Sequence, residues 1–461
     1  MLPPLDCDHI FEDSNKDAMM EHNRGLRATC VAQTTNRMAD RRFHRRIFFQ
    51  VAILMIPIRL TLGVMCDAQE PFVNVPLKSR ITRVQPMTGL VLWTTSEHNR
   101  TDAVQLEYSY MKYGDVVARR GQYDWAVMDR LLKEVAARGH QAIVRFYFVY
   151  PGQKTTVPAY IKGLPDYHEM ASRSEGKPTS FADWSNSELK RFTLEFYEKL
   201  AARYDDDSRL AFVETGFGLW AEYHIYDGPM KLGATFPDKP FQAAFARHLG
   251  QVFRKTPWMI SIDAADESRA PFAGERELTK ITFGLFDDSF LCRQHASENE
   301  PNWNFWGRDR WKRAPAGGEF SYYTSHDQKQ ALFPNGPYGV SFEKAAADFH
   351  ISFMIANDQP RYQPLERVRA AGLACGYKFR IQAFEASLAR SRVTITNTGV
   401  APIYHDAFLA VNGIRAARSL KGLLPAESRT DEISAGGKSP KLTIESDRLV
   451  PGQTIEFAAD L

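Results

Sequence analysis

Cysteine is scarce: five in 461 residues, of which only Cys292 and Cys375 lie beyond the first 70. A disulfide framework therefore cannot be the basis of the fold, and the pairing of those two cysteines stays open. There is no H-E-x-x-H, no cysteine pair at zinc-ligand spacing and no acidic calcium loop, so the sequence points to no metal site. It points to no cofactor either. A G-x-S-x-G nucleophile elbow is absent. So is the Gly-rich phosphate loop that a doubly wound nucleotide-binding sheet carries after its first strand. Neither sign of charge dominates, with 58 Lys+Arg against 55 Asp+Glu, which removes the electrostatic ground for a nucleic-acid partner.

A long uninterrupted apolar run is also missing. Residues 41–46, "RRFHRR", precede "IFFQVAILMIPIRLTLGVMCDAQ", in which Gln50 and Arg59 break the apolar stretch. A basic segment, a short apolar segment and the small residue Ala68 form the pattern of a secretory signal peptide, and no stable membrane span is expected. The leader is assigned to residues 1–68 and the mature chain to a secreted or periplasmic bacterial protein. Met38 is an alternative start. Beyond the leader 49 basic and 47 acidic residues remain, close to neutrality.

Aromatic residues are plentiful at 12%, with Trp and Tyr gathered near the ends of strand-like segments. Flat apolar faces with a polar handle suit a sugar-binding cleft, and equally a packed core. From residue 89 onward strand-like and helix-like patterns alternate. Strands are expected at 89–95, 103–110, 141–150, 210–218, 257–263, 281–290, 315–323 and 350–357, and helices at 124–139, 187–204, 241–255, 342–349 and 364–372. Eight strands with intervening helices predict an α/β (β/α)8 TIM-type barrel over 69–375, with its first helix missing or rudimentary. After Gly376 short alternating segments separated by Gly, Asn and Pro predict a small all-β sandwich over 376–461, packed firmly on the barrel.

In such barrels the catalytic groups gather at the C-terminal ends of the strands. Glu222, in "GFGLWAEYH", follows the fourth strand, and Glu319, in "AGGEFSYY", follows the seventh. Two carboxylates facing each other across the mouth are what glycosidic cleavage requires, one protonating the leaving oxygen and the other attacking or activating water. Arg145, Trp220, His224, Asp263, Asp287, Tyr322 and Asp358 are the candidates for substrate contact. Each has a plainer role open to it: Glu222 could pair with a buried arginine such as Arg145, and Asp263, Asp287 and Asp288 could cap helices. His350 is expected near the buried start of the last strand.

These carboxylate positions are similar to those of the large barrel clan of retaining glycoside hydrolases. The segments "LEYSYMKYGDVVARRGQYDW", "GFGLWAEYH", "PAGGEFSYY", "ANDQP" and "NTGVAPIYHDAF" resemble a domain-of-unknown-function family of secreted bacterial barrels with a C-terminal β-sandwich. The resemblance to the clan, and not that to the closer family, implies a glycoside hydrolase acting on a poly- or oligosaccharide with retention, Glu222 as acid/base and Glu319 as nucleophile. It also implies an asparagine before the first glutamate, where this chain has Ala221; the contact to the sugar 2-hydroxyl is then lost or made by another residue. A non-catalytic carbohydrate-binding barrel is the alternative.

Overall fold

The computed structural model describes residues 70–461, so the expected leader lies outside the described residues. Eight parallel strands close into a barrel: β1 Gly89–Trp93, β2 Leu106–Lys112, β3 Gln141–Tyr147, β4 Leu210–Glu214, β5 Trp258–Ser261, β6 Gly284–Phe290, β7 Ala316–Phe320 and β8 Phe353–Ile355. The α/β barrel read from the periodicity is the observed architecture. Helices α1 Ala126–Ala137, α2 Ser187–Tyr204, α3 Lys239–Val252, α4 Glu300–Trp306, α5 Phe342–Asp348 and α6 Leu365–Gly372 follow strands β2, β3, β4, β6, β7 and β8. No helix connects β1 to β2, as the short polar stretch between them implied. Helix starts are set by local chemistry: the Asn186 side chain accepts from Leu189 N at 3.0 Å to open α2, and Asp238 accepts from Phe241 N at 2.8 Å to open α3. None of the described helices is long and apolar enough to cross a membrane.

The pleat sorts the barrel's apolar residues into two sets, because successive side chains of a strand point to opposite faces. Leu90, Leu92, Val144, Phe146, Val213, Leu285 and Phe320 pack outward in one cluster with the helices. Val91, Tyr108, Ile143, Phe212, Met259, Phe286 and Phe353 form a second cluster in the lumen. Phe353 stacks on Phe212 with ring centroids 5.0 Å apart, and it has room because Gly317 stands opposite: a Cβ there would meet the Phe353 ring at 2.4 Å.

The lumen cluster continues into the C-terminal β-sheets. There β9 Phe379–Ala386 and β10 Ser391–Asn397 form the centre of a larger sheet, and a three-stranded sheet runs through β11 Phe408–Val411, with Ile381, Val393, Leu409 and Val411 sharing the lumen's apolar cluster. Polar clamps fasten the same end. Arg448 donates to Leu210 O at 2.7 Å and to Thr256 Oγ1 at 3.1 Å, at the beginnings of β4 and β5, while Gln141 Nε2 donates to Arg448 O at 2.7 Å. The C-terminal sheets thus close the N-terminal end of the barrel and leave the opposite mouth for function. One boundary differs from the sequence reading: the stretch from residue 69, grouped there with the barrel, starts with strands that pair with the C-terminal sheet, Val73 with Ala386 and Lys78 with Asp460. That pairing joins the two ends of the described residues and leaves no local periodicity to betray it. Cys292 and Cys375 are both buried and free. His350 lies before β8, its ring stacked on Trp311 at 3.6 Å, away from the mouth.

Candidate active site

Strand register assembles the floor of the mouth. Tyr110 of β2 is level with Arg145 of β3, which is level with Glu214, the last residue of β4. All three take the inward phase set by Tyr108, Ile143 and Phe212, and Asp288 and Glu319 take it on β6 and β7. The Arg145 guanidinium, fully buried, lies over the Phe286 ring at 4.0 Å. Its Nε donates to Glu214 Oε2 at 2.8 Å and its Nη2 to the same oxygen, while Nη1 donates to Asp288 Oδ2 at 2.5 Å, to Trp220 O at 3.3 Å and to Tyr110 OH at 3.4 Å. The sequence offered Arg145 as a sugar contact or as the partner of Glu222. It is instead a buried cation shared by Glu214 and Asp288, with its donors occupied by protein.

The loop "GFGLWAEYH" explains its own glycines. After β4 the chain folds back on itself: Gly218 N donates to Glu222 O at 2.8 Å and Leu219 N to His224 O at 3.0 Å. A Cβ on Gly216 would lie 2.0 Å from Ala221 O, and one on Gly218 would lie 1.8 Å from His224 O. Trp220 (φ +53°) and Ala221 (φ +59°) are left-handed, a conformation costly for residues with side chains and a local store of strain. Trp220 N is held by Val149 O at 3.1 Å, and Tyr223 N by Ser261 Oγ at 3.1 Å, so the segment just after β3 and the end of β5 hold the loop from both sides. Gly218→Ala is therefore expected to displace the Glu222 loop and destabilise the fold by about 1–3 kcal/mol, the usual cost of forcing overpacking. Denaturant unfolding together with activity checks it; unchanged values for both would show that the loop is not locked by this contact.

The loop delivers Glu222, 8% exposed, next to His224, whose Nε2 donates to Glu222 Oε2 at 3.0 Å. His224 is also 3.8 Å from Asp263, which accepts from Ser261 Oγ at 2.8 Å. Trp220 is half-buried and stacks on Tyr226 at 5.8 Å. Tyr322, half-buried, feels the charges of both Glu319 and Asp358, and exposed Tyr323 feels those of Glu222 and Asp263. Glu222, His224, Asp263, Glu319, Trp220, Tyr322 and Asp358 are thereby brought to one region, with Arg145 beneath. Asp287 is not. It occupies the outward phase of β6, accepting from Asn299 Nδ2 at 2.6 Å and Trp303 Nε1 at 3.0 Å, which ties the strand to α4. The sequence expected Asp287 to meet sugar hydroxyls; its neighbour Asp288 has the inward position instead. Glu214 is a site residue that the sequence reading does not single out, although a charge at the end of an apolar strand is its signal.

Electrostatics sets the protons. Burial pushes Glu222 up to about 7, against the opposing His224 imidazolium and with help from Asp288 and Asp263. Burial and the Asp288 carboxylate hold Glu319 well above the ordinary carboxylate range, with Arg145 pulling the other way. Burial also raises Glu214, outweighing Arg145. His224 is opposed by burial, yet the carboxylates of Glu222 and Asp263 lift it to about 9. Glu222, His224 and Asp263 offer ligand atoms within 4.8 Å of one another, a grouping that could hold a metal ion, but the proton favoured on His224 competes with that role.

All these shifts have one sign. Each group binds its proton more tightly folded than unfolded, so its stabilisation is complete below the unfolded pKa and disappears as pH rises through the folded one. For Glu222 that window runs from 4.5 to about 7 and for His224 from 6.5 to about 9. The free energy of unfolding is expected to fall between pH 7 and 9, above the range in which His405 and His350, held neutral by burial, act with the opposite sign; denaturant titrations at several pH values measure it, and a rise over that interval would contradict the assigned protonation.

Taken together, the class defined here is a closed parallel α/β barrel with carboxylates and aromatic rings gathered at its C-terminal mouth. No family model and no curated protein matches the chain. Among solved structures it is similar to endo-glycoceramidase II from Rhodococcus sp., with 12% identity over 78% of this chain and 100% of that one at a TM-score of 0.39. An Anoxybacillus alpha-amylase shares 11% identity over 76% of this chain and 98% of its own, at a TM-score of 0.35. The alpha-galactosidase TtGalA from Thermus thermophilus shares 12% identity over 69% and 66%, also at 0.35. At that distance the functional reading rests on the geometry of the mouth itself.

Proposed function

We propose that the protein is a glycoside hydrolase that cleaves a poly- or oligosaccharide with retention of configuration. The observation that carries this reading is the pair Glu222 and Glu319, delivered by the β4 loop and β7 to one mouth, each with raised proton affinity, with the Glu222 charge acting on Glu319 and Asp288 acting on both. Glu222 is the acid/base. With a pKa of about 7 it holds a proton for the leaving oxygen at mildly acidic pH and gives up that proton at a modest cost. Glu319 is the nucleophile: its carboxylate attacks the anomeric carbon as the leaving-group bond breaks, and water, deprotonated by Glu222, then releases the sugar. Trp220 and Tyr322 supply apolar faces for the ring.

One observation favours exchanged roles. Arg145 is committed to Glu214 and Asp288, and the proton affinity of Glu319 is raised strongly. The productive form, with Glu222 protonated and Glu319 ionised, is then the minor one of two tautomers that carry the same total charge. The pH profile alone reports the pair and not the individual sites.

A screen of plant, algal and bacterial polysaccharides for release of reducing ends tests the activity, and proton NMR of the first product tests retention. Once a substrate is found, His224→Gln is expected to move the alkaline limb of kcat/KM to higher pH, since losing the imidazolium removes the cation that lowers Glu222. A limb that stays in place or moves down would assign it to another group. A carbohydrate-binding barrel without turnover is the alternative, favoured by Ala221 in place of the implied asparagine; glycan binding without product in the same screen would support it.

A further inference from the structure

Among the described residues four large aromatic side chains are exposed: Tyr226, Tyr323, Phe333 and Tyr338. All four lie in two loops, the one after β4 that holds Glu222 and the one that follows Glu319 on β7. Tyr226 and Tyr323 belong to the Glu222 side of the mouth. The Tyr226 ring lies T-shaped to that of His224, the partner of Glu222, at 5.6 Å, and stacks on Trp220 at 5.8 Å. Tyr323 turns its hydroxyl to Ser289 near the end of β6, within reach of the Glu222 and Asp263 charges. Tyr226 is in turn within reach of Tyr323.

A separate element holds Tyr226 in place. In the connection from β3 to α2 a hairpin pairs Met170–Ser174 with Lys177–Phe181, and its tip residues Glu175 and Gly176 are left-handed at φ +50° and +69°. This hairpin meets the β4 loop three times. Tyr226 OH donates to Glu175 Oε1, Glu175 N donates to Asp227 Oδ2, and a Cβ on Gly228 would meet the Phe181 ring at 2.6 Å. With its hydroxyl tied to a carboxylate, Tyr226 offers a ligand the face of a fixed ring.

We propose that Tyr226 and Tyr323 form the subsite for the leaving group, and that its occupant is a second pyranose ring, so that cleavage falls between two sugars. This inference rests on the glycoside hydrolase reading and names the part of the substrate beyond the cleavage point. In a retaining pair the acid/base faces the leaving oxygen, and both tyrosines lie on the Glu222 side. Tyr322, within reach of Glu319 and Asp358, belongs instead with the ring being transferred. A pyranose has an apolar C–H face for the tyrosines and hydroxyls for the carboxylates of Glu175, Asp227 and Asp263 beside them. An alkyl chain would cover the rings but strip water from those acids without replacing it.

The test uses three substrates of the sugar that the polysaccharide screen identifies: its linear trisaccharide, its glycosyl fluoride of matching anomer and its octyl glycoside. Fluoride is too small to reach either tyrosine. Tyr226→Ala and Tyr323→Ala in the full-length protein are each expected to lower kcat/KM at least about tenfold more on the trisaccharide than on the fluoride, the scale of a stacked ring. The octyl glycoside should lose less than the trisaccharide. Tyr226→Phe, which keeps the ring and loses its anchor, should fall between the parent and Tyr226→Ala. Turnover of the fluoride reports that each variant is folded, and exposed Tyr323, on a different loop, carries the test alone if Tyr226→Ala does not fold. Equal losses on trisaccharide and fluoride, no loss on either, or a loss on the octyl glycoside as large as that on the trisaccharide would overturn this inference and leave the hydrolase reading intact. A screen in which no glycan is cut overturns both.

Discussion

Glu319→Gln is expected to lower kcat by more than about 10³-fold on every substrate, because losing a nucleophile removes a step that no other group performs. The effect should not depend on the leaving group. Glu222→Gln should behave differently. It loses about 10²–10⁴-fold where the departing oxygen needs a proton, the range that general acid catalysis contributes. On an activated aryl glycoside, which leaves without protonation, much of the first step should survive, and azide should then accelerate release by attacking the intermediate without a base. Kinetics on a leaving-group series, with and without azide, separate the two positions. A Glu319 variant rescued by good leaving groups, beside a Glu222 variant dead on all of them, would reverse the roles.

The second large effect concerns stability. Arg145→Met is expected to destabilise the fold by about 3–5 kcal/mol, the cost of stripping a buried ion pair of one partner. The reason is specific: Glu214 is fully buried, and without Arg145 neither it nor Asp288 has a cation within the barrel floor. Arg145→Lys should recover only part of the loss, since an ammonium cannot reproduce a fork that reaches Glu214, Asp288, Tyr110 and the Trp220 carbonyl together. Adding Glu214→Gln and Asp288→Asn to Arg145→Met removes the stranded charges and should restore much of the stability. Denaturant midpoints across this set measure it. A singly substituted Arg145→Met protein as stable as the parent would mean that Glu214 and Asp288 are held neutral without the arginine.

What the sequence revealed follows physical range. The α2 helix, Ser187–Tyr204, spans the residues its 3.6-residue apolar spacing marks, and each barrel strand falls within or beside its apolar run. These are local patterns. The C-terminal sheets were legible for the same reason, but the pairing of Val73 with Ala386 was not, since nothing near residue 73 encodes a partner more than three hundred positions away. At the site, Glu222 and Glu319 stood out because a charge interrupts an aromatic segment or follows two glycines. Glu214 was hidden inside "LAFVETGFG", where it reads as the end of an apolar strand. The choice between Asp287 and Asp288 depended on strand phase, and "GLFDDSF" conceals that phase because Leu285 and Phe286 are both apolar although they face opposite ways. The paired role of Arg145 needed three strands in register, which no single segment carries.

Trapping the covalent intermediate tests the central claim most directly. In a 5-fluoro glycosyl fluoride of the active sugar the ring fluorine slows both formation and breakdown of the intermediate, while the fluoride leaving group speeds formation alone, so the intermediate accumulates and proteolysis with mass spectrometry locates the label. The account predicts one glycosyl group per chain, on the peptide containing Glu319, and none after Glu319→Gln. A label on Glu222, or turnover with inversion and no label at all, would contradict it.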